Sequence, residues 1–339
     1  MPGPRDNTYP GDVYPGDRIV VRYRIGDTTP GDWRPASHAA QTAPRLSDIT
    51  GFLVENADPL RISRNGVIES VPRAAITSMR LLSARPVRTS EIRALERAAA
   101  LSWPGIESTW IEGWFVRAGG RMSRRGNSAI PLEMSARADA ATLHRISAWY
   151  AERNLPTILA LPDRLLGPHT IPGTPASGDV HILTRVLDGA GDQPRPVTDV
   201  AVALHTNPTT DWIRAYLGPD ADVALARRIV TATEGPVIFA SVTDPDGSVI
   251  GTGRATITVA AAGDAGWVGI TALWTDPARR RHRIGDAILT RLLDWGIDHD
   301  AHRAYLQVEA DNTIAGSWYR RRSFALHHTS RYLTAHLAS

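Results

Sequence analysis

Over the first 85 positions, apolar residues alternate with polar ones in short runs, the period expected of strands with one buried face. Asp17 to Tyr23, Thr50 to Glu55, Leu60 to Ser63, Val67 to Pro72 and Ala75 to Leu81 are the predicted strands, and Asn65-Gly66 between two apolar runs is a hairpin signal. Gly26 to Asp48, rich in Gly, Pro, Ser, Thr and Ala, reads as a long loop. Together these predict a small β-barrel.

The period changes after Arg85-Pro86. Thr89 to Ala100 has helical spacing behind a capping residue. Predicted strands follow at Thr109 to Ala118 and Gly126 to Leu132, then a helix from about Ala136 to Arg153 and a strand at Pro156 to Ala160. Gly167 to Gly178 and Asp188 to Pro196 are Gly/Pro-rich and read as loose connections. From Val200 onward the pattern is regular. It gives a strand Val200 to Leu204, helices within Asp211 to Leu217 and Asp222 to Thr233, and strands Val237 to Thr243 and Val249 to Thr258 joined at Asp246-Gly247. Next come strand Trp267 to Thr275, helix Ile284 to about Asp298, strand Ala304 to Val308, helix Asn312 to Arg322 and strand Ser330 to His336. Three parts are expected: 1–85, 86–197 and 198–339.

Composition narrows the chemistry. The chain has 339 residues, 42% of them hydrophobic and 22% charged, an ordinary globular balance. No apolar run approaches the roughly 20 residues that span a bilayer, and the start lacks the apolar core of a signal peptide, so a cytoplasmic protein without membrane contact is expected. There are no cysteines, which removes disulfides, zinc-thiolate sites and a cysteine acyl-enzyme. No metal site is expected. All 38 basic residues are arginine, and the net charge of +3 argues against nucleic acid as a partner.

The chemistry-bearing segment runs from Ala272 to Leu289. It reads as a strand, a basic turn containing Arg279, Arg280, Arg281, His282 and Arg283, and an amphipathic helix with Ile284, Ile288, Leu292 and Trp295 on its core face. Backbone N–H groups at a helix start, reinforced by the macrodipole, can seat a pyrophosphate, and Gly285 lets phosphate come close. Taken alone, the four arginines read equally well as a solvated turn.

This segment resembles the GNAT acetyltransferase superfamily, whose cofactor loop reads Q/R-x-x-G-x-G/A after a strand ending in V-x-P. Arg280 matches the first position, Gly285 the last, and Pro277 lies three residues before Arg280, while Arg283 stands where the first glycine is usual. Downstream, Asn312, Ala315, Tyr319 and Phe324 match N-x-x-A-x-x-x-Y-x-x-x-G-F, with Ser323 in place of its glycine. The resemblance implies an α+β fold. A C-terminal GNAT domain, with a central mixed sheet and flanking helices, would follow a degenerate GNAT-like domain and a small SH3-like barrel.

It also implies roles. Acetyl-CoA would be the co-substrate. Leu273, Trp274 and Thr275 would bond its pantetheine arm beside a splayed strand pair, and Arg280, Arg281, His282, Arg283, Ile284, Gly285, Asp286 and Ala287 would hold its pyrophosphate. Asn312 would contact the pantetheine, Tyr319 would protonate the departing thiolate, and Glu309 is the best-placed base, ahead of Asp276. The middle part has no arginine-glycine turn, so one cofactor site per chain is expected.

Trp103-Pro104-Gly105, Gly113 to Ala118 and Arg125 to Ser128 are similar to three-part GNAT proteins of actinobacteria that bear the name N-acetylglutamate synthase. That resemblance implies direct acetyl transfer to a primary amine of a small molecule, the α-amine of glutamate first, in arginine biosynthesis. Arg117, Arg125 and Arg254 are candidates to receive its carboxylates, although each singly also reads as solvated surface. The alternatives are an antibiotic amine, a protein or peptide amine, or a non-catalytic acetyl-CoA-sensing regulator. A homodimer is allowed for.

Overall fold

The computed structural model describes residues 13–31, 45–120, 122–166, 171–187, 199–261 and 263–336. The expected connection Asp188 to Pro196, and parts of those at Gly26 to Asp48 and Gly167 to Gly178, lie outside the described residues. In chain order the elements are β1 (Arg18–Arg24), β2 (Leu46–Glu55), β3 (Leu60–Arg64), β4 (Val67–Val71), β5 (Ile76–Leu81), α1 (Thr89–Ser102), β6 (Glu107–Ile111), β7 (Trp114–Ala118), β8 (Ala129–Pro131), α2 (Ala140–Ala151), β9 (Ile158–Pro162), β10 (Gly173–Pro175), β11 (Val180–Val186), β12 (Ala203–His205), α3 (Thr210–Leu217), α4 (Val223–Thr231), β13 (Val237–Thr243), β14 (Val249–Thr258), β15 (Gly266–Thr275), α5 (Ile284–Ile297), β16 (Ala301–Glu309), α6 (Thr313–Arg320) and β17 (Ala325–Ala335). The result is a mixed α+β fold. Contacts divide it into two compact units, Met1–Pro86 with Glu309–His328, and Val87–Val308 with Thr329–Ser339.

The smaller unit is built on an antiparallel sheet in the order β4-β3-β2-β1-β5. Strand alternation puts Ile19, Val21 and Tyr23 of β1 on one face, where they meet Ile49 and Leu53 of β2, Leu60 and Ile62 of β3, and Met79 of β5. Asn65 and Gly66 both take positive φ, 50° and 82°, as a two-residue hairpin turn requires. Among the described residues β4 and β5 end the sheet without pairing to each other, so no closed barrel is seen. The same unit contains α6.

The larger unit holds a sheet in the order β12-β13-β14-β15-β16-β11-β17-β9-β8-β7-β6, with β10 added on β17. Several features differ from the sequence expectation, among them β10, which forms inside the expected connection Gly167 to Gly178. The run Thr109 to Ala118 is a hairpin rather than one strand. It turns at Glu112-Gly113, with φ of 46° and 82°, a two-residue turn that Glu112 does not advertise as asparagine would. β11, flanked by Gly/Pro-rich stretches, escapes the pattern altogether and lies between β16 and β17. The sheet therefore interleaves strands from before and after position 197. One core cluster joins Leu95, Phe115, Ile130 and Ile182 to Trp267, Tyr305 and Tyr332.

Two buried arginines close the ends of helices in this unit. Arg254 on β14 is fully buried and donates through Nε to the Val230 carbonyl (2.7 Å) and through Nη2 to those of Ser102 (2.9 Å) and Ala232 (3.3 Å). Those carbonyls end α1 and α4, which lack partners of their own within the helices. Nη1 donates to Thr271 Oγ1 (3.3 Å), and the guanidinium lies 4.5 Å from the Trp103 ring centroid. Burial pulls the Arg254 pKa down to about 9, still above neutrality, so the cation is held by helix ends and a ring face. Arg117, also buried, donates to the Trp103 carbonyl (3.1 Å) at the end of α1. Neither is solvated surface, and neither projects a fork to solvent for a substrate carboxylate. Arg125 is only partly buried and donates from Nε to Gln307 Oε1 (2.7 Å).

Candidate functional site

Helix α5 seats the basic turn because its apolar face is pressed onto β14. A Cβ on Gly253 would lie 2.6 Å from Ile288 Cγ2 and 2.8 Å from Leu292 Cδ1, so only glycine allows this approach. Ile284, Ile288, Leu292 and Trp295 are buried, as the sequence pattern predicts.

The turn that feeds α5 is tightly specified. The Asp276 carboxylate accepts the Ala278 N–H (2.9 Å), the Asp276 N–H donates to the Ile250 carbonyl (2.9 Å), and Arg279 pairs with Asp244. His282 Nδ1 lies 3.1 Å from the Arg279 carbonyl, which uses that ring nitrogen within the turn. Arg280, Arg281, His282 and Arg283 are exposed, Gly285 and Asp286 half-buried, and Ile284 and Ala287 buried. The first α5 bond outside the turn is donated by Ala287 to the Arg283 carbonyl, so the N–H groups of Ile284, Gly285 and Asp286 precede it, and no side chain caps this end. Arg281 and Arg283 have φ of 67° and 59°. Arg283, at the place where the resemblance puts a glycine, thus holds left-handed backbone, the region that glycine enters without steric cost.

Beside the turn, β15 changes its pairing. With β16 it is parallel, and the register ends at Ile270 opposite Leu306, although β15 runs on to Thr275. The edge of β15 from Thr271 to Thr275 is therefore open toward β16. Its other edge stays paired to β14, Thr252 with Trp274 and Gly251 with Thr275, across a register shift near Ala272, whose φ is 52°. Thr252 Oγ1 donates to the Ala272 carbonyl (2.9 Å), which fixes the bulge. Leu273, Trp274 and Thr275, all half-buried, lie on this open stretch.

The remaining candidates are in the smaller unit. Glu309, the last residue of β16, accepts the Asn312 N–H at its backbone carbonyl (3.0 Å). Asn312 is the N-cap of α6: its Oδ1 accepts from the Ala315 N–H (3.1 Å), which leaves the amide nitrogen as its donating end. Tyr319 lies in the last turn of α6, its ring 4.9 Å from that of Trp318 and 5.9 Å from that of Phe324. Burial pushes its phenol up to about 12, against a smaller opposing effect of Arg322. Tyr319 is thus a phenol that stays protonated well above neutral pH.

After α6 the chain closes a Schellman motif. Phe324 N–H donates to the Tyr319 carbonyl (3.2 Å) and Ser323 N–H to that of Arg320 (3.0 Å). Ser323, at the place where the resemblance puts a glycine, has φ of 62°, again left-handed. Phe324 is buried against Tyr319.

Among the described residues, no group of three or more His, Asp or Glu could hold a metal ion, and no helix is long and apolar enough to cross a membrane.

Comparison with known proteins agrees with an acetyltransferase. A family model described as the C-terminal part of the probable histone acetyltransferase Rv0428c matches residues 89–333. The probable histone acetyltransferase Rv0428c of Mycobacterium tuberculosis is 34% identical over 322 residues, covering 94% of this chain and 95% of its own. Among solved structures, a GCN5-related N-acetyltransferase from Kribbella flavida superposes with a TM-score of 0.48 at 16% identity, over 70% of this chain and 94% of its own. A tandem GNAT protein from the clavulanic acid biosynthesis pathway gives 0.47 at 11% identity, over 67% and 78%. The family match spans most of the chain and the curated relative nearly all of it, so the chain belongs to the family of the probable histone acetyltransferase Rv0428c.

Proposed function

We propose that this protein transfers an acetyl group directly from acetyl-CoA to a primary amine, at one site per chain carried by residues 198–339. The observation that carries the reading is the release of β15 from β16 after Ile270, immediately ahead of a helix start fed by a basic, left-handed turn. An open strand edge suits an extended pantetheine chain, which pairs with backbone groups as a strand would. The N–H groups of Ile284, Gly285 and Asp286 suit the pyrophosphate, with Arg280, Arg281, His282 and Arg283 around it, while the expected contribution of Ala287 is corrected, its N–H being taken by the Arg283 carbonyl. Leu273, Trp274 and Thr275 offer the strand edge, and Asn312 the amide nitrogen.

Acetyl-CoA supplies an activated thioester. The amine nitrogen forms the new bond to its carbonyl carbon, the carbon–sulfur bond breaks, and the amine sheds one proton as the thiolate takes up another. Tyr319, kept protonated by burial, serves as the hydrogen-bond donor to the developing thiolate. Glu309 serves as the base, directly or through water.

The acceptor we favour is an amine on a protein or peptide. Rv0428c is named a probable histone acetyltransferase, and Arg117 and Arg254, two of three candidate receivers of glutamate carboxylates, are buried and donate to carbonyls at helix ends. Glutamate is the second reading, with Arg125 as the remaining receiver.

The test is a thiol-release assay with acetyl-CoA against histone-derived peptides, glutamate and aminoglycosides. The chain has no cysteine, so the enzyme adds no background. Turnover with peptides and not with glutamate is expected. If calorimetry detects no acetyl-CoA binding at about 1 mM, the upper end of ordinary Michaelis constants, the whole reading fails.

A further inference from the structure

The smaller unit joins the N-terminal sheet to the helix that carries Asn312 at its cap and Tyr319 in its last turn. The join is specific. The Tyr14 hydroxyl lies 3.1 Å from Ser317 Oγ, and Arg320 Nη1 donates to Asp17 Oδ2 (2.8 Å). The same carboxylate oxygen accepts the Tyr14 N–H (2.8 Å), and the Arg320 guanidinium lies 4.8 Å from the Tyr14 ring centroid. Side-chain exposure is 20% for Arg320 and 18% for Asp17, so solvent screens this pair less than an ordinary surface bridge.

The turn that makes these contacts is itself fixed to the sheet. Gly16 N–H donates to the Leu53 carbonyl and Leu53 N–H to that of Asp17, both at 2.8 Å, while Asn56 Nδ2 donates to the Val13 carbonyl (2.8 Å) and Val13 is buried in the sheet's core. On the other side, α6 has eight residues, short of the roughly 12–15 at which an isolated helix becomes even marginal in water, and Ser317 alone among them is buried, with Tyr319 partly so. Its placement must come from outside, and Ser317 and Arg320 bracket Tyr319.

We propose that the N-terminal sheet positions α6 for acetyl transfer, with Tyr14, Asp17 and Arg320 as the positioning residues. This rests on the reading above that α6 serves the acetyl-CoA site. The sheet is then a working part of the transferase, which acts on catalysis through the placement of Asn312 and Tyr319.

The test uses the full-length protein. Acetyl-CoA affinity by calorimetry, thiol-release kcat and amide exchange across 313–320 are compared in wild type, Asp17→Asn, Arg320→Gln, the double variant and Arg320→Lys. Each single loss is expected to speed exchange in α6 and to lower kcat or weaken acetyl-CoA binding about tenfold or more, as sub-ångström misplacement does. The double variant should be no worse than either single one, Arg320→Lys should recover most of the loss, and urea midpoints should stay close to wild type. Unchanged kcat and affinity in folded Asp17→Asn and Arg320→Gln would overturn the proposal, even with faster exchange. So would additive losses, or losses matched by the unfolded fraction. Tyr319→Phe and Asn312→Ala report on the underlying reading separately: if neither alters kcat or affinity, α6 has no role at the site and the proposal falls with it, whatever the clamp variants do.

Discussion

Ser323 allows a clean measurement of what a left-handed residue costs here. It is the C′ residue of the Schellman motif that ends α6, with φ of 62°. An L-residue in this conformation is less stable than in its ordinary wells by roughly 1–2 kcal/mol, because its Cβ crowds the neighbouring carbonyl oxygen. Glycine avoids that strain but adds freedom to the unfolded chain, an opposing effect of about 0.4–1 kcal/mol. Replacing serine also removes a hydroxyl, so the informative comparison is between Ser323→Gly and Ser323→Ala, which both lack it and differ by the Cβ alone. Subtracting the two effects predicts that Gly exceeds Ala by about 0.5–1 kcal/mol. With a urea slope of about 2 kcal/mol per molar, the midpoints should differ by roughly 0.3–0.5 M. Ser323→Val, β-branched and worse suited to positive φ, should fall below Ala. Equal midpoints for Gly and Ala would refute the left-handed backbone at 323 and with it the Schellman geometry.

Other expectations follow from the same contacts. Gly253→Ala should destabilise by about 1–3 kcal/mol and weaken acetyl-CoA binding, because its Cβ would meet Ile288 and Leu292 and push α5 from β14; a neutral effect by calorimetry and thermal unfolding would deny that packing. Arg254→Met should cost about 3–5 kcal/mol in denaturant titration, since the carbonyls of Ser102, Val230 and Ala232 lose a buried cationic donor together. Burial raises Tyr319 from 10.0 to about 12, so the neutral phenol's contribution to stability is whole below about pH 10 and is lost as pH rises through about 12. The kcat profile should accordingly show no tyrosine limb below about pH 11; a falling limb near pH 10 that vanishes in Tyr319→Phe would contradict it.

Legibility in the sequence followed how local the determinants were. The alternation in β1 to β5, the face of α5 and the turns at Asn65-Gly66 and Asp246-Gly247 are set by neighbours a few residues apart, and the structure has them close to where the pattern puts them. β11 was illegible because its seven residues are identified by the strands beside it, β16 and β17, which lie more than a hundred residues later. The same holds for Arg254, whose partners Val230 and Ser102 are 24 and 152 residues away. A lone arginine in a strand carries no mark of a helix end it has yet to meet. The Tyr14, Asp17 and Arg320 cluster is the extreme case, closing over 303 positions.

Arg283 and Ser323 bear on whether the chain is a catalyst or a sensor. Read as letters, each is the loss of a motif glycine, and two such losses favour a non-catalytic regulator. Read as backbone, both remain left-handed, with φ of 59° and 62°. Left-handed backbone is adopted most easily by glycine, and at both places the chain takes it without one, at a modest local cost. Strain of this kind persists only where the surroundings over-determine it, and here those surroundings are the turn that starts α5 and the Schellman close of α6. Left-handed backbone at both places removes the ground that the two letters give for a regulator, and the thiol-release assay separates sensor from transferase, because a sensor binds acetyl-CoA without releasing thiol.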